Sequence, residues 1–532
     1  MRAFAELLDR LVLTPSRNRK LQLMVDYFRA APDPDRGLAL AALIGDLDFP
    51  AVKPALLRAL MSERMDPVLF GYSYDYVGDL AETISLVWPT GDDGAGTELR
   101  LADVAARLMA VSRSDAGKVL TDLLDHSAAS ERFAILKLVT GTLRIGVSAR
   151  LAKQALADFG SKPVNEIEEL WHGLHAPYAD LFAWLEGTAD KPVPQAQALF
   201  RPVMLSTPMG DTDHTKLEPS DYAAEWKWDG IRVQVVANNG TYRMYSRTGD
   251  DISGSFPDLM QAVTFDGVID GELLVGDPQG RTATFSDLQQ RLNRKSVSPK
   301  VQAEFPVFVR VYDILQRGEE DLRGLTFVER RKHLKAFVST LDPARFDVSR
   351  FVSFDSWAQL DEMRKHPPHP IIEGVMVKRW DSTYVPGRPK GPWFKWKRDP
   401  YTVDAVLMYA QRGHGKRSSF YSDYTFGVWS GPEDAPELVP VGKAYFGFTD
   451  EELKQIDKFV RDNTIDRFGP VRSVRADRTT GLVFEVAFEG LNRSTRHKSG
   501  VAMRFPRINR LRWDKPTAEA DRIETLQSML DA

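Results

Sequence analysis

Glu225-Trp-Lys-Trp-Asp-Gly-Ile-Arg232 is the stretch on which the reading of this chain turns. Lys227 stands between two tryptophans, two positions after an acid and two before an Asp-Gly. A solvated lysine titrates near ~10.4, so about one amine in a few thousand is free at neutral pH. The flanking aromatics and the nearby cationic Arg232 are expected to disfavour the ammonium form and make Lys227 a nucleophile. A salt-bridged lysine in a surface hairpin fits the same letters, so the rest of the chain has to decide.

Outward from this stretch the pattern is one of strands. Val233 and Val235 alternate with Arg232 and Gln234, Asn239-Gly240 is a hairpin turn, and Tyr242 to Ser246 returns. Further strands are expected at Gly267–Val275, Val307–Ile314 and Gly374–Lys378, with a helix at Phe285–Arg294 between them. Upstream, residues 1–185 read as helical: Phe4, Leu7, Leu8 and Leu11 share one face, as do Leu21, Met24, Val25 and Phe28. Ser148 is placed to cap a helix running toward Phe159, with Gly160 placed to end it. Residues 186–204 are Pro-rich and polar, a linker. The mixed region then covers 205–399, short β-rich runs such as Val403–Tyr409, Phe426–Trp429 and Leu482–Phe488 suggest a small barrel over 400–515, and Thr517–Leu530 reads as a helix within 516–532.

At 532 residues the chain should hold roughly three or four domains. Its 43% hydrophobic and 27% charged residues are ordinary for a globular protein, and a formal charge of −4 gives no global sign of nucleic-acid binding. The absence of cysteine excludes disulfides and thiolate metal sites and fits an intracellular protein. The first residues carry acids inside their apolar stretch, unlike a signal peptide, and no uncharged run approaches a membrane span. His172 and His175 form an H-x-x-H with no further ligand in range, which reads as two ordinary histidines.

The chemistry-bearing clusters follow the lysine in order: Ser246-Arg247-Thr248-Gly249, Asp270-Gly271-Glu272, Tyr312-Asp313, Glu373-Gly374-Val375-Met376-Val377-Lys378 and Trp393-Phe394-Lys395-Trp396-Lys397. The chain closes with Arg504-Phe-Pro-Arg507-Ile-Asn-Arg510-Leu-Arg512-Trp-Asp514-Lys515. Glu272 and Glu373 at strand ends could hold a hard cation through oxygen. A tyrosine can stack on a flat ring, and the arginines and lysines could neutralise phosphates. Together these describe attack on a nucleotide phosphate, where a protein mainly supplies position and charge. Between positions 493 and 515 the basic residues face only Asp514 in the local sequence, which favours an anionic partner. In the helical region Arg144 and Gly146 precede an exposed helix N-terminus suited to a phosphate, and a plain helical hairpin fits the same residues. Gly413-His-Gly-Lys416-Arg417 lacks phosphate-loop spacing and reads as a basic loop of the barrel.

These motifs, in this order and at these separations from residue 1 to Lys515, resemble the ATP-dependent DNA ligases of the covalent nucleotidyltransferase superfamily. Leu143-Arg-Ile-Gly-Val147 and the run at 285–294 resemble its three-domain members. The resemblance implies a multidomain α, α+β and β chain: a helical DNA-binding domain, an adenylation domain of antiparallel sheets and helices, and a C-terminal OB-fold barrel. It implies that Lys227 takes AMP from ATP, that Glu225 reads the adenine amino group, and that Arg232 and Arg247 contact the nucleotide's sugar and phosphate. It further implies Tyr312 stacked on adenine, Glu272 on the ribose and the metal, Glu373 on Mg²⁺ or Mn²⁺, Lys395 and Lys397 on the α-phosphate with Arg388 assisting, and Lys378 as a further member of the nucleotide site. Arg507, Arg512, Asp514 and Lys515 match the motif that orients the ATP tail. The implied partner is nicked double-stranded DNA, bound by a monomer in the cytoplasm at the nucleoid. Capping guanylyltransferases and RNA ligases share the lysine motif; the Arg512-x-Asp514-Lys515 ending and the helical N-terminal region argue for a DNA ligase. The NAD-dependent ligases normally carry a cysteine-bound zinc, which this chain cannot build.

Overall fold

The computed structural model describes residues 1–532 except 78, 90–98, 142, 194–197, 211, 281, 293, 295–296, 413–419, 495–496 and 531–532. The chain forms two compact units, Met1–Trp396 and Lys397–Ala532. No helix among the described residues is long and apolar enough to cross a membrane.

In the first unit, helices from Arg2–Leu13 to Ala179–Leu185 enclose one apolar core in which Leu8, Leu11, Phe28, Ile135 and Phe182 are fully buried. Ala134, Ile135, Leu136, Leu138 and Val139 are buried from helix Ala129–Thr140. The Ser148 cap forms: its Oγ accepts the Leu151 N–H at 3.2 Å and opens helix Ala149–Gly160. Gly160 has a different job from the one expected. It is still helical, and Ser161 carries the left-handed turn at φ 51°. A Cβ on Gly160 would lie 2.6 Å from Leu185 Cδ2 and 3.0 Å from the Leu185 carbonyl oxygen, so glycine is required here for helix packing.

The same unit contains two sheets. A five-stranded sheet runs in the order Thr207–Pro208, Trp393–Lys397, Ile372–Arg379, Tyr222–Trp228, Phe351–Val352. A six-stranded sheet runs Thr241–Ser246, Ile231–Asn238, Gly267–Val275, Val307–Arg317, Glu320–Asp321, with Phe346–Val348 also paired to Val307–Arg317. Asn239 and Gly240, at φ 49° and 76°, make the expected hairpin turn. The helix expected over Phe285–Arg294 stops at Gln289. Arg291 is drawn inward, fully buried, where its guanidinium donates to Asp258, to the Ser255 carbonyl and to the Phe305 carbonyl. The end of the linker is packed rather than free: Ala198, Phe200 and Met204 are buried, and the Leu205 N–H donates to the Gly387 carbonyl at 2.6 Å. His172 joins this cluster with its ring 4.8 Å from that of Phe200, and burial pushes it down to about 4, as befits a neutral packed histidine.

The second unit is sheet-rich. Tyr401–Arg412 is its spine, pairing with Tyr421–Ser430, Val471–Val474 and Val483–Phe488, and the last of these pairs with Arg507–Arg512. Helix Asp450–Asn463, which sequence reading missed, begins in a capping box between Thr449 and Glu452. The expected terminal helix is split into a turn at Thr517–Glu519 and a helix at Ile523–Leu530. Between them Asp521 is held extended: it accepts the Trp429 N–H at 3.0 Å and donates to the Asp404 carbonyl at 2.8 Å.

Alanine is the better helix former, yet Gly160→Ala should destabilise the protein by about 1–3 kcal/mol through overpacking against Leu185. Chemical denaturation of the variant checks this; an unchanged or raised midpoint would refute the packing role.

Candidate active site

Alternation along strand Tyr222–Trp228 decides what surrounds the lysine. Trp226 packs into the cluster around Met209, Tyr222 and Val375, and Trp228 into that of Leu274, Phe308 and Ile371. Lys227 points to the opposite face. There its ammonium donates to Glu373 Oε2 at 2.5 Å. Glu373 reaches this position through a bulge: Ile372 lies opposite Trp228 and Gly374 opposite Lys227, leaving Glu373 as the extra residue. Burial alone would push the Lys227 ammonium down, but Glu373, Glu272 and Asp229 outweigh it and hold it above the ordinary lysine value. The expected aromatic and cationic surroundings are therefore replaced by acids. Arg232 is engaged elsewhere, donating to Asp270 Oδ2 at 2.6 Å, to the Met204 carbonyl at 2.7 Å and to the Tyr384 hydroxyl at 3.1 Å.

Glu272 lies across from Arg232 in the strand pairing. Burial, with Glu373 and Asp229 adding to it against Lys227 and Arg232, pushes its carboxyl up to about 7. Glu272 and Glu373 thus face one amine from two different sheets. Among the described residues no group of three or more His, Cys, Asp or Glu forms a ready-made metal cage. Two glutamates suit Mg²⁺ nonetheless, because that ion commonly takes one or two carboxylates and completes its shell with substrate phosphates and water.

A second cluster adjoins the first. Glu225 is buried and carries a cation on each oxygen: Arg331 Nη1 at 3.0 Å from Oε1 and Lys378 Nζ at 2.5 Å from Oε2. Lys378, expected as a member of the nucleotide site, is sealed in an aromatic box with its Nζ 4.5 Å from the Tyr312 ring centroid and 4.6 Å from that of Trp393. Tyr312 is also set by a bulge: Asp270 pairs with Asp313 and Gly271 with Val311, so Tyr312 is the unpaired residue between them. The Arg232 guanidinium lies 5.8 Å from the same ring. Lys227, Glu373, Glu272, Arg232, Tyr312, Glu225 and Lys378 are thereby brought together.

The remaining candidates are distributed as follows. Arg247 is exposed after strand Thr241–Ser246, Arg388 is exposed beside Gly387, and Lys395 is half-buried in Trp393–Lys397. In the helical region Arg144 and Gly146 are exposed at φ 50° and 64°, and a cavity of about 330 Å³ is lined by Arg17, Lys20, Gly146, Ser148 and Arg150. Lys416 and Arg417 lie outside the described residues. In the second unit Lys397 and Arg507 share Glu489, at 3.2 and 2.9 Å, while Arg512 and Lys515 share Asp404, at 3.2 and 2.7 Å. Arg510 meets Glu485 at 3.4 Å. Arg507, Arg510, Arg512 and Lys515 of the basic run expected to be unopposed at 493–515 are therefore opposed, by Glu485 and Asp404 on strands of the same sheet and by Glu489 just past strand Val483–Phe488. Asp229, Arg331, Asp404 and Glu489 were missed; of these only Asp229 stands inside a motif quoted from sequence.

Three family models match this chain: "DNA ligase N terminus" at residues 1–157, "ATP dependent DNA ligase domain" at 203–397 and "ATP dependent DNA ligase C terminal region" at 417–515. A probable DNA ligase of Koribacter versatilis is 30% identical over 99% of this chain and 96% of its own length. The chain belongs to the ATP-dependent DNA ligases. DNA ligase 1 of Korarchaeum cryptofilum is likewise 30% identical, over 100% of this chain and 98% of its own. The solved structure Pmar-Lig_PreS3 is similar with a TM-score of 0.60 over 96% of this chain and 99% of that one, at 16% identity, which speaks for the fold alone. The ligase thus has the three-part architecture of its family: a helical N-terminal region, a nucleotidyltransferase domain and a sheet-rich C-terminal region. It joins DNA at the expense of ATP through an enzyme adenylate and then a DNA adenylate.

Because acids hold Lys227 as an ammonium, the rate of enzyme adenylation should rise with pH from about 6.5 to 9, approaching tenfold per unit. Single-turnover label transfer from ATP checks this, and a flat profile would show that the amine is already free. Glu272 gives a second test. Its folded value near 7 lies above the ordinary 4.5, so the folded state holds an extra proton between those values and loses stability as pH rises through them. Glu272→Gln should raise the melting temperature of the nucleotide-free ligase at pH 8, by roughly 2–4 °C for each kcal/mol relieved, and change it little at pH 5.

Proposed function

We propose that this ligase seals nicks in duplex DNA with Lys227 as the residue that carries AMP. The observation that carries this reading is the convergence of Glu373 and Glu272, from separate sheets, on the Lys227 ammonium. In the first step Lys227 Nζ sheds a proton, for which Glu373 is the hydrogen-bonded acceptor at 2.5 Å, and attacks the α-phosphorus of ATP. A nitrogen–phosphorus bond forms and pyrophosphate leaves. The 5′-phosphate at the nick then displaces Lys227 from AMP, and the 3′-hydroxyl finally displaces AMP to form the phosphodiester. Tyr312 supplies a flat face for adenine, Glu225 an acceptor for its amino group, and Arg232 a donor toward the sugar, since its buried Nε has no hydrogen-bond partner. Arg247, Arg388, Lys395 and Lys397 serve the phosphates, and Arg507, Arg512 and Lys515 the ATP tail. Glu272 and Glu373 would hold Mg²⁺, or Mn²⁺ through the same oxygen donors, and the ion would supply charge neutralisation at phosphoryl oxygens and a lower pKa for the attacking group.

The finer architecture belongs to the same reading: a DNA-binding domain at 1–185, a linker at 186–204, an adenylation domain at 205–399 and an OB-type barrel at 400–515. Support for a barrel comes from the Tyr401–Arg412 strand, which pairs with three partners in turn. The protein acts as a monomer in the cytoplasm on nicked duplex, holding the backbone through groups such as Arg144, Gly146, Lys416 and Arg417, so its binding weakens steeply with salt.

The test is label transfer from ATP labelled at the α-phosphate, followed by a chase with nicked duplex. Label should attach to the wild-type protein, not to Lys227→Ala, not from GTP, and should leave as AMP while the nick closes. Attachment of label to Lys227→Ala would overturn the assignment of the nucleophile.

A further inference from the structure

Helix Phe327–Val338 carries two adjacent arginines whose side chains go to different sheets. Its start is fixed by a capping box in which Thr326 and Glu329 satisfy one another's backbone N–H. Arg330, fully buried, donates from Nε and Nη2 to the two oxygens of Asp313 at 2.8 and 2.9 Å, gripping the six-stranded sheet. Asp313 is the residue after the bulged Tyr312. Arg331, also buried, donates to Glu225 Oε1 at 3.0 Å and to the Ser349 carbonyl, gripping the five-stranded sheet and the segment that joins the two. Its guanidinium lies 4.2 Å from the Phe351 ring centroid, which fixes its plane. One turn of helix therefore sets both the ring of Tyr312 and the carboxylate of Glu225.

We propose that Arg331 is a positioning residue that sets nucleobase selectivity by holding Glu225 as an acceptor-only group. This rests on the reading of Glu225 and Tyr312 as the adenine site. A carboxylate offers about four lone-pair sites. Arg331 and Lys378 occupy one on each oxygen, and both are donors without acceptor capacity. The acceptor sites left over match a 6-amino purine. A 6-oxo purine presents an acceptor to an acceptor, and a purine without a 6-substituent leaves the site unmatched, the situation in which buried polar sites discriminate most strongly. Lys378 alone would leave one oxygen free to turn. Arg331, anchored at the same time to Ser349 and Phe351, fixes the plane of the carboxylate.

The experiment measures enzyme–nucleotide adduct formation from ATP, GTP and purine riboside triphosphate, with Arg331→Met and Arg331→Lys beside the wild type. Wild type should favour ATP over purine riboside triphosphate at least tenfold in KM, with similar maximal rates. Arg331→Met should raise KM for ATP about tenfold or more, leave KM for purine riboside triphosphate within about twofold, and so erase most of the preference. Arg331→Lys, which keeps a cation on Glu225 and stays informative if Arg331→Met fails to fold, should retain an intermediate preference. Equal loss with both nucleotides, or a preference unchanged in both variants, would overturn the proposal and leave Arg331 a stabilising residue only. Failure of the wild type to take label from ATP would instead defeat the underlying assignment of the site.

Discussion

The Lys227–Glu373 ion pair is the constraint around which the candidate active site is arranged. An isolated lysine beside aromatics could shed its charge by desolvation alone, but this one cannot, because Glu373, Glu272 and Asp229 all favour the ammonium. Three acids around one cation leave the nucleotide-free pocket with surplus negative charge. Glu272, pushed up to about 7, carries part of that surplus as a retained proton. Glu272 and Glu373 would hold a divalent cation there, which would supply the missing positive charge.

Two irregularities of strand pairing make this arrangement possible. In regular antiparallel strands Glu373 and Tyr312 would each point where alternation dictates. The extra residue in each bulge breaks the alternation and turns the side chain toward the pocket between the sheets. Gly374, at φ 144°, is the residue that lets the first bulge form. The second is held from behind by the Arg330–Asp313 pair. The Glu-Gly and Tyr-Asp pairs quoted from the sequence thus consist of a functional side chain and the neighbour that permits its placement.

What the sequence could reveal follows from which interactions are local. The hairpin at Asn239-Gly240, the Ser148 cap and the strand at Gly267–Val275 depend on nearest neighbours, and all were legible. The helix expected through Arg294 was cut short by Arg291 seeking Asp258, 33 residues away, and Gly160 was governed by Leu185; neither partner is visible in a local window. The surroundings of Lys227 were misjudged for a related reason: the tryptophans adjacent in sequence are on the opposite face of the strand, while Glu373 comes from 146 residues away. Arg331 stood in a helical stripe with nothing local to set it apart from a solvated charge.

The same long-range pairing accounts for the charge composition. With 70 lysines and arginines and 74 acids, the chain looks unlike a DNA-binding protein, and its basic C-terminal run looks like the exception. In the folded second unit that run is met by Glu485 and Asp404, on strands of its own sheet, and by Glu489, just past strand Val483–Phe488. Lys397 and Arg507 wait on Glu489, Arg512 and Lys515 on Asp404, and in the first unit Lys227 waits on Glu373. Cations proposed to bind phosphate are thus parked on carboxylates when no phosphate is present. The arrangement leaves few buried charges unpaired, which would be costly. It also makes phosphate binding an exchange of one anion for another rather than a simple gain. Such an exchange favours a ligand that meets several cations at once, as a triphosphate does, over a single stray anion that could displace only one carboxylate at a time.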